Sequence, residues 1–317
     1  MGLRRPKAMP RHFLTIPHVS AGELQALIQR ARAFKRNRSL GRRLLAGRTV
    51  ALVFQKPSMR TRVAFEVAVL ELGGSVVSLG QDDIQLGKRE PVKDVARVLS
   101  GYVDGIVVRT FAHQDAEEFA AYARVPVING LSDSVHPCQA LADLVTMEEH
   151  AGRLRGLRAA YVGDGNNVLH SFAQGCAMLG IHLAVSTPER YRPDAAIWRE
   201  ALRRAKASGA QLTWGSDPRT AVRGARIVYT DVWVSMGQEA ERTTRLAAFR
   251  GYQLNDALLR QASPGCRLMH CLPAHRGEEI TDELMESDRS LVFQQAENRL
   301  HAHKAILELL FKKGKRP

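Results

Sequence analysis

The chain has 317 residues, a formal net charge of +14 and a sequence pI near 10.1. This length suffices for two domains of ordinary size, and the composition is that of a globular protein. No apolar run approaches the ~20 residues needed to cross a bilayer, and residues 1–11 lack the apolar segment of a secretory signal. We therefore expect a cytoplasmic protein that does not act on membranes.

Strands and helices alternate along the whole chain, which predicts an α/β protein. A polar, glycine-containing link at 151–157 predicts a boundary between domain 1–150 and domain 151–317, each an open parallel sheet flanked by helices. The loops expected between these elements include 129–135, 163–167 and 235–250. The predicted strands are 48–54, 75–79, 104–108, 125–128, 157–162, 181–186, 211–214, 227–230 and 267–271, and the predicted helices are 19–35, 63–72, 91–100, 111–124, 137–150, 168–179, 194–208, 217–222 and 291–311.

The basic excess is concentrated in residues 30–48 and 312–316. A charge of this size allows nucleic acid, a membrane surface or an acidic small molecule as partner. The basic side chains of residues 30–43 fall on several faces of a helical stretch, which predicts a solvated surface. Single-strand readers need aromatic residues among the basic ones, and these are nearly absent. We predict no nucleic-acid partner, and a charge-driven nucleic-acid binder is the alternative.

The stretch 54–62 joins a predicted buried strand to a predicted buried helix and contains two hydroxyls and two guanidinium groups. The first amide groups of a helix lack internal partners, and the helix dipole favours negative charge there. Ser58, Arg60 and Thr61 would thus surround a phosphate with donors. The alternative is a capped helix with solvated arginines.

The cysteines are too few for a disulfide framework, so reduced thiols are expected. Residues 266–275 combine two cysteines with two histidines, but their spacing fits no common zinc site and is more typical of a strand end. The loop 163–167 is similar to a dinucleotide fingerprint but lacks the third glycine. The sequence therefore predicts neither a metal nor a nucleotide cofactor. The residues concerned are Cys138, Cys176, Cys266, His270, Cys271 and His275.

Other polar residues also follow predicted strands, and such strand-end loops meet at the usual ligand crevice of α/β sheets. In the first half these residues suit a phosphate and a polarised carbonyl, and in the second half they suit a zwitterion. This difference between the two halves of the chain predicts an enzyme that transfers a chemical group between an anionic phosphate compound and an amine. The stretch 235–250 is charged and is either a mobile lid or a plain surface loop. The residues of the first half are Ser58, Arg60 and Thr61 of the predicted phosphate cradle, together with Arg109, His136 and Gln139. Those of the second half are Asn167, Asp231, Ser235 and Cys271.

Six motifs between residues 56 and 273 are similar, in the same order, to those of the ornithine carbamoyltransferases, and the resemblance extends over about residues 11–312. The Ser-Met-Gly and His-Cys-Leu-Pro motifs separate this family from its aspartate, putrescine and N-acetylornithine relatives. The motifs are Lys56-Pro57-Ser58-Met59-Arg60-Thr61-Arg62, Val108-Arg109-Thr110, His136-Pro137-Cys138-Gln139, Gly163-Asp164-Gly165-Asn166-Asn167, Asp231-Val232-Trp233-Val234-Ser235-Met236-Gly237 and His270-Cys271-Leu272-Pro273.

The resemblance implies transfer of the carbamoyl group of carbamoyl phosphate to the side-chain amine of L-ornithine, giving L-citrulline and phosphate in arginine biosynthesis, with no cofactor. It implies a homotrimer or a multiple of trimers, with Gln85 reaching a neighbouring subunit's site, and a last helix at about 291–311 that packs back on the first domain. Transfer to another amine and a non-catalytic regulatory relative are the rival interpretations.

The resemblance also implies residue roles. The phosphate would be held by residues 58–61 and Arg109, the carbonyl oxygen by Thr61, Arg109 and His136, and the carbamoyl amide by Gln139 and the Leu272 carbonyl. Met59 departs from the threonine or leucine usual in the family, which is harmless if that position acts through its backbone amide. The implied carbamoyl phosphate set is Ser58, Met59, Arg60, Thr61, Gln85, Arg109, His136, Gln139, Cys271, Leu272 and Arg299; the ornithine set is Asn167, Asp231, Ser235 and Met236; the catalytic set is Asp231, Cys271, Arg109 and His136.

Overall fold

The structure, a computed structural model, describes residues 10–84, 86 and 89–312. Within this part of the chain the first domain is built on a four-stranded sheet of order β2-β1-β3-β4, in which every pair is parallel. Its strands are β1 (Thr49–Phe54), β2 (Ser75–Leu79), β3 (Gly105–Arg109) and β4 (Val127–Leu131), and its helices are α1 (Ala21–Arg36), α2 (Met59–Glu71), α3 (Gln81–Ile84), α4 (Val92–Tyr102), α5 (His113–Tyr122) and α6 (Pro137–Ala151).

The second domain is built on a five-stranded parallel sheet of order β7-β6-β5-β8-β9. Its strands are β5 (Arg158–Val162), β6 (His182–Ser186), β7 (Leu212–Gly215), β8 (Ile227–Thr230) and β9 (Arg267–His270), and its helices are α7 (Asn167–Leu179), α8 (Ala195–Ser208), α9 (Pro218–Val222), α10 (Arg242–Ala248), α11 (Asp256–Leu259), α12 (Asp282–Met285) and α13 (Val292–Phe311).

Both faces of the first sheet are covered, as parallel sheets require. Alternate residues of β1 therefore enter different cores: Leu52 packs with the helices α1, α2 and α6, whereas Ala51 and Val53 pack with α4 and α5. The strand order reverses direction between β1 and β3 in one sheet and between β5 and β8 in the other. Ligands of open α/β sheets bind at such switch points, and the loops after these strands carry the predicted site residues.

The last helix joins the two halves. Helix α13 packs against α1, α2 and α6 of the first domain and against β9 of the second. Two of its polar residues are paired with the first domain: Asn298 Nδ2 donates to Thr146 Oγ1 at 2.8 Å, and Lys304 Nζ contacts Glu71 at 2.9 Å. The predicted two-domain α/β fold, with a last helix that packs back on the first domain, is confirmed. The boundary at residue 150 stays a prediction.

Two local predictions are wrong. Residues 129–131 form the end of β4 and not a loop, because the backbone of Asn129 pairs with Phe13 and its side chain donates to the Leu14 carbonyl oxygen at 3.0 Å. The stretch 235–250 is not a loop throughout, because it contains a 3₁₀ turn, Glu239–Glu241, and helix α10.

The solvated basic surface predicted for residues 30–43 is also wrong in part. Helix α1 ends at Arg36, and residues 37–47 are turns. Four of the basic side chains contact carboxylates of other elements, so much of this charge is neutralised within the fold. The pairs are Arg30 with Glu308, Arg32 with Glu148, Lys35 with Glu149 and Arg38 with Glu71. Among the helices of the described residues, none is long and apolar enough to cross a membrane.

Candidate active site

A cleft of about 490 Å³ lies at the carboxyl ends of the strands of both domains. Most of the residues predicted for the site line it, although they come from loops far apart in the chain. They are Ser58, Arg60, Arg109, His136, Gln139, Asn167, Asp231, Ser235, Met236, Cys271, Leu272 and Arg299.

Two of the predicted residues that the structure describes, Met59 and Thr61, do not line the cleft. The side chain of Met59 is 69% exposed and lies outside it, whereas Thr61 is fully buried beneath it. Gln85 lies outside the described residues. Because the Met59 side chain lies outside the cleft, this residue can contribute to the predicted phosphate site at 58–61 only through its backbone amide.

The phosphate cradle predicted around residues 58–61 is the first turn of α2. Ser58 is the N-cap, and its hydroxyl accepts from the Thr61 amide at 3.3 Å. The helix therefore begins at Met59, four residues earlier than predicted, because the cap side chain satisfies an amide that would otherwise lack a partner. The start of the helix, with its partial positive charge, lies at the cleft.

Two buried arginines converge on Thr61. Arg299 donates to its hydroxyl at 2.6 Å, and Arg109 lies 3.5 Å from the same oxygen. Burial, together with Arg299 and Arg60, lowers the pKa of Arg109 to about 10, so it is still charged at neutral pH. In the described part of the chain no carboxylate lies within 4.0 Å of the guanidinium groups of Arg60, Arg109 and Arg299, which we call the arginine cluster. Because buried charges need partners, the cluster indicates a site for an anion.

His136 lies beside the same cluster, at the start of α6. Its backbone amide donates to Ser171 Oγ at 2.8 Å, which ties the turn to α7 of the second domain. Burial, Arg299 and Arg109 hold the pKa of His136 well below its ordinary value. The imidazole is therefore neutral and can donate one hydrogen bond, for example to a carbonyl oxygen.

Across the cleft, Asp231 is held by two side chains. Cys271 Sγ donates to its Oδ1 at 2.9 Å, and Asn166 Nδ2 donates to its Oδ2 at 2.7 Å. Burial and the neighbouring Asp231 raise the pKa of Cys271 well above its ordinary value, so the thiol keeps its proton. Asp231 is thus the proton acceptor of this pair, and Cys271 is a donor.

His270 takes no part in this pair. Its Nδ1 accepts from the Leu272 amide at 2.9 Å, which leaves the Nε2 proton for Glu279, 3.0 Å away. Donor atoms of Asp231, His270 and Cys271 lie within 4.8 Å of one another, as in a metal site. Each of them is already used in a hydrogen bond within the protein, and the absence of a metal stays a prediction.

The stretch 235–250, predicted as either a mobile lid or a plain surface loop, is anchored by one buried residue. Arg245 of α10 contacts Asp164, donates to the Trp233 carbonyl oxygen at 2.5 Å, and lies 4.5 Å from the ring centroid of Tyr191. Because this arginine is attached to the loop after β5, α10 is fixed beside the cleft. Four cleft-lining residues of the same region are Ser235, Met236, Glu239 and Arg242.

Gly165 allows the loop after β5 to pass close to another segment. A Cβ atom at this position would overlap the backbone of Arg192 and Pro193. We expect Gly165→Ala to lower the free energy of unfolding by about 1–3 kcal/mol. We also expect it to raise the Michaelis constant of a substrate that binds in the cleft beside Asn167, because the loop must shift. Thermal unfolding and steady-state kinetics would measure both. The control is Gly101→Ala in α4, where a Cβ meets no atom within 4 Å; equal behaviour of the two variants would contradict the argument.

The sequence alone does not reveal that Asn166 holds Asp231 or that Ser171 holds His136. Asn166 belongs to the motif at 163–167, and its position just before a helix is typical of an N-cap. The structure confirms this cap, because the side-chain oxygen of Asn166 accepts from the amides of Val168 and Leu169. Ser171 lies within an apolar helix, and nothing in the sequence distinguishes it.

Both halves of the chain match known family models. Residues 11–149 match the carbamoyl phosphate-binding domain, and residues 155–310 the aspartate/ornithine-binding domain, of the aspartate/ornithine carbamoyltransferases. The chain belongs to this family of carbamoyltransferases.

Several of its relatives at about 50% identity are ornithine carbamoyltransferases. The ornithine carbamoyltransferase of Methanoculleus marisnigri is 49% identical over 308 residues, 96% of this chain and 98% of the relative. That of Gloeobacter violaceus is 52% identical over 298 residues, 94% of this chain and 95% of the relative. The solved ornithine carbamoyltransferase of Pyrococcus furiosus has a TM-score of 0.93 at 49% identity and covers 96% of this chain and 98% of its own.

Proposed function

We propose that this protein is an ornithine carbamoyltransferase of arginine biosynthesis: it transfers the carbamoyl group of carbamoyl phosphate to the side-chain amine of L-ornithine, giving L-citrulline and phosphate. The observation that carries the proposal is the polarity of one cleft. Arg60, Arg109 and Arg299 lie on one side without a carboxylate partner among the described residues, and Asp231 faces them with Cys271. The family and the names of the relatives support it.

On the first-domain side, we assign carbamoyl phosphate to the arginine cluster. The phosphate would accept from Ser58, from Arg60 and Arg109, and from the first amides of α2, including that of Met59. Arg109 and the neutral His136 would donate to the carbonyl oxygen. These donors are fixed before the reaction and point to where negative charge develops, so they favour the tetrahedral transition state over the substrate. The remaining proposed contacts are Thr61, Gln85, Gln139, the Leu272 carbonyl and Arg299.

On the second-domain side, we assign the amino-acid end of ornithine to Asn167, Ser235 and the Met236 backbone, and its side-chain amine to Asp231. The amine has an ordinary pKa near ~10.4 and must lose a proton before it attacks. Asp231 would accept that proton. The nitrogen lone pair then adds to the carbamoyl carbon. The added nitrogen gives up its second proton to an oxygen of the phosphate group, the C–O bond to phosphate breaks, and hydrogen phosphate leaves with the bonding electrons. The Cys271 thiol would keep Asp231 in place.

The activity is tested with carbamoyl phosphate and a panel of amines: ornithine, putrescine, aspartate and N-acetylornithine. We expect carbamoylation of ornithine at a kcat/KM at least about 100-fold above that of the others. The solved N-acetyl-L-ornithine transcarbamylase is only 33% identical to this chain, against 49% for the Pyrococcus furiosus enzyme, which favours ornithine. A preference for another amine would identify that amine as the substrate instead of ornithine. Absence of turnover with all four amines would favour a non-catalytic relative.

Thiol chemistry at Cys271 provides a sharper test of the assigned roles. Since the thiol acts as a donor and does not ionise, a serine hydroxyl can replace it. We expect Cys271→Ser to lower kcat by less than about tenfold and to leave the pH profile of kcat unchanged, as measured by steady-state kinetics between pH 6 and about 10. A loss above 100-fold, or a shifted profile, would show that the thiol itself transfers a proton.

We also propose a cytoplasmic homotrimer. Three side chains on one face of α2 are half to mostly exposed and apolar, and the strand that packs beside α2, β2, lies at the edge of the first sheet. An exposed apolar patch beside a sheet edge is typical of a surface that another subunit covers. The three α2 residues are Met59, Val63 and Leu70.

The assembly is tested by light scattering after gel filtration. We expect a mass of three times the chain mass of 35.1 kDa, or a multiple of it. Val63→Asp on the patch should shift the mass toward that of one chain, because it buries an unpaired charge in the interface. The matched control is Leu202→Asp on α8, which is exposed in the second domain. A single-chain mass for the unchanged protein would overturn the proposed trimer.

A further inference from the structure

A buried carboxylate lies one helical turn below Gln139 and has no part in the roles assigned so far. Asp143 is fully buried in α6, and its oxygens accept from three side chains. Gln139 Nε2 donates to Oδ1 at 2.8 Å, Gln295 Nε2 to the same oxygen at 2.7 Å, and Tyr229 OH to Oδ2 at 3.0 Å. Within the described ranges, no cation lies within 4.0 Å of this carboxyl group.

The hydrogen bonds to Asp143 decide which way the Gln139 amide points. A carboxylate oxygen accepts and cannot donate, so the amide nitrogen of Gln139 must face it and the amide oxygen must face away. That oxygen is buried and has no partner in the described part of the molecule, while Gln139 itself lines the cleft. A buried acceptor without a partner is costly and marks a place where a ligand donor fits.

The orientation holds in both protonation states of the carboxyl group. Burial raises the pKa of Asp143 to about 7. When a proton is bound, it can lie on Oδ2 and be donated to the oxygen of Tyr229, and Oδ1 continues to accept from both glutamines. Gln295 further ties this group to the second domain, because its Oε1 accepts from the His270 amide at 2.9 Å.

We propose that Asp143 is a positioning residue that fixes the Gln139 amide with its oxygen toward the NH₂ group of the carbamoyl moiety, so that the enzyme selects a carbamoyl compound over an acyl compound with a methyl group in that place. This inference rests on the proposed function. A methyl group cannot donate, so the Gln139 oxygen would stay unpaired against it. If Asp143 is removed, the amide is free to rotate and the selection is lost, whereas the arginine cluster that binds phosphate is untouched.

The test compares two stable phosphonates that differ only in this group, phosphonoacetamide and phosphonoacetone, with inorganic phosphate as a third ligand. Calorimetric titration gives their dissociation constants for the unchanged enzyme and for Asp143→Leu, Asp143→Ser and Asp143→Asn. We expect the unchanged enzyme to bind the amide at least about tenfold more tightly than the ketone. In Asp143→Leu and Asp143→Ser this ratio should fall below about threefold, with the affinity for inorganic phosphate within twofold of the unchanged value.

Asp143→Asn keeps an acceptor oxygen for the two glutamines and an amide that can donate to Tyr229, so it should keep the ratio. This variant and the small Asp143→Ser keep the test valid if Asp143→Leu does not fold. A normal ratio in folded Asp143→Ser or Asp143→Leu, a lost ratio in Asp143→Asn, or equal binding of amide and ketone by the unchanged enzyme would overturn the inference. None of these results bears on the proposed function, which fails only if the unchanged enzyme does not carbamoylate ornithine.

Discussion

Replacing Asp231 by asparagine is expected to lower kcat for ornithine carbamoylation by about 10²–10⁴-fold, the usual contribution of a positioned general base. Asp231 receives hydrogen bonds from Cys271 and Asn166 through its two oxygens. An asparagine has one acceptor oxygen and an amide that cannot take a proton from the ornithine ammonium. Asp231→Asn therefore removes the proton acceptor. Its amide NH₂ group also faces one of the two hydrogen-bond donors, Cys271 or Asn166, that hold the aspartate side chain.

The experiment is a steady-state assay of Asp231→Asn with both substrates varied. Asp256→Asn is the matched control, since Asp256 is exposed at the start of α11 and its carboxylate lies 3.7 Å from Arg289, away from the cleft. The control should keep its kcat within twofold. If Asp231→Asn retained more than a fifth of the activity, the proton acceptor would have to be another group.

Arg109→Gln is expected to lower kcat/KM for carbamoyl phosphate by about 10²–10³-fold, corresponding to about 3–4 kcal/mol for a lost donor at a developing oxyanion. The residue is only 8% exposed, at the end of β3, and in our assignment it contacts both the phosphate and the carbonyl oxygen. Glutamine keeps a donor but loses the charge and the second N–H group, so both binding and the chemical step should suffer.

Arg62→Gln provides the control because it lies in the same segment but outside the cleft. Its guanidinium group pairs with Glu66 at 2.9 Å on the exposed face of α2. A pair of this kind contributes less than about 1 kcal/mol, so activity should be nearly unchanged. Equal losses in Arg62→Gln and Arg109→Gln would indicate a general disturbance of α2 and not a lost ligand contact.

The sheets of this protein could be predicted because their strands are short, buried and β-branched, and glycine-containing or polar loops separate them from the helices. The end of β4 could not. Asn129 and Gly130 have the local signature of a turn. Asn129 becomes part of a strand through its pairing with Val108 of β3 and through its backbone hydrogen bond to Phe13, more than a hundred residues earlier in the chain.

Most cleft-lining residues could be predicted because they lie at strand ends or in the loops that follow strands, whereas Arg299 in the middle of α13 was reached only through the family resemblance. The supporting polar residues could not. Asp143 and Gln295 lie within helices that are otherwise largely buried, where a single acidic or amide residue has no periodic signal. Their function depends on a contact across 152 positions of the chain. For the same reason the sequence predicts solvated basic residues in α1, because the partner of Arg30, Glu308, lies in the last helix.

The arginine cluster links the lifetime of the protein to the supply of its substrate. Arg60, Arg109 and Arg299 repel one another in a buried site, as the lowered pKa of Arg109 shows, and a bound dianion turns this repulsion into attraction. A ligand present at 100 times its dissociation constant adds about 2.7 kcal/mol to the free energy of unfolding. Cells rich in carbamoyl phosphate would therefore hold the enzyme in its most durable form, and depletion of that metabolite would leave the chain more open to proteolysis.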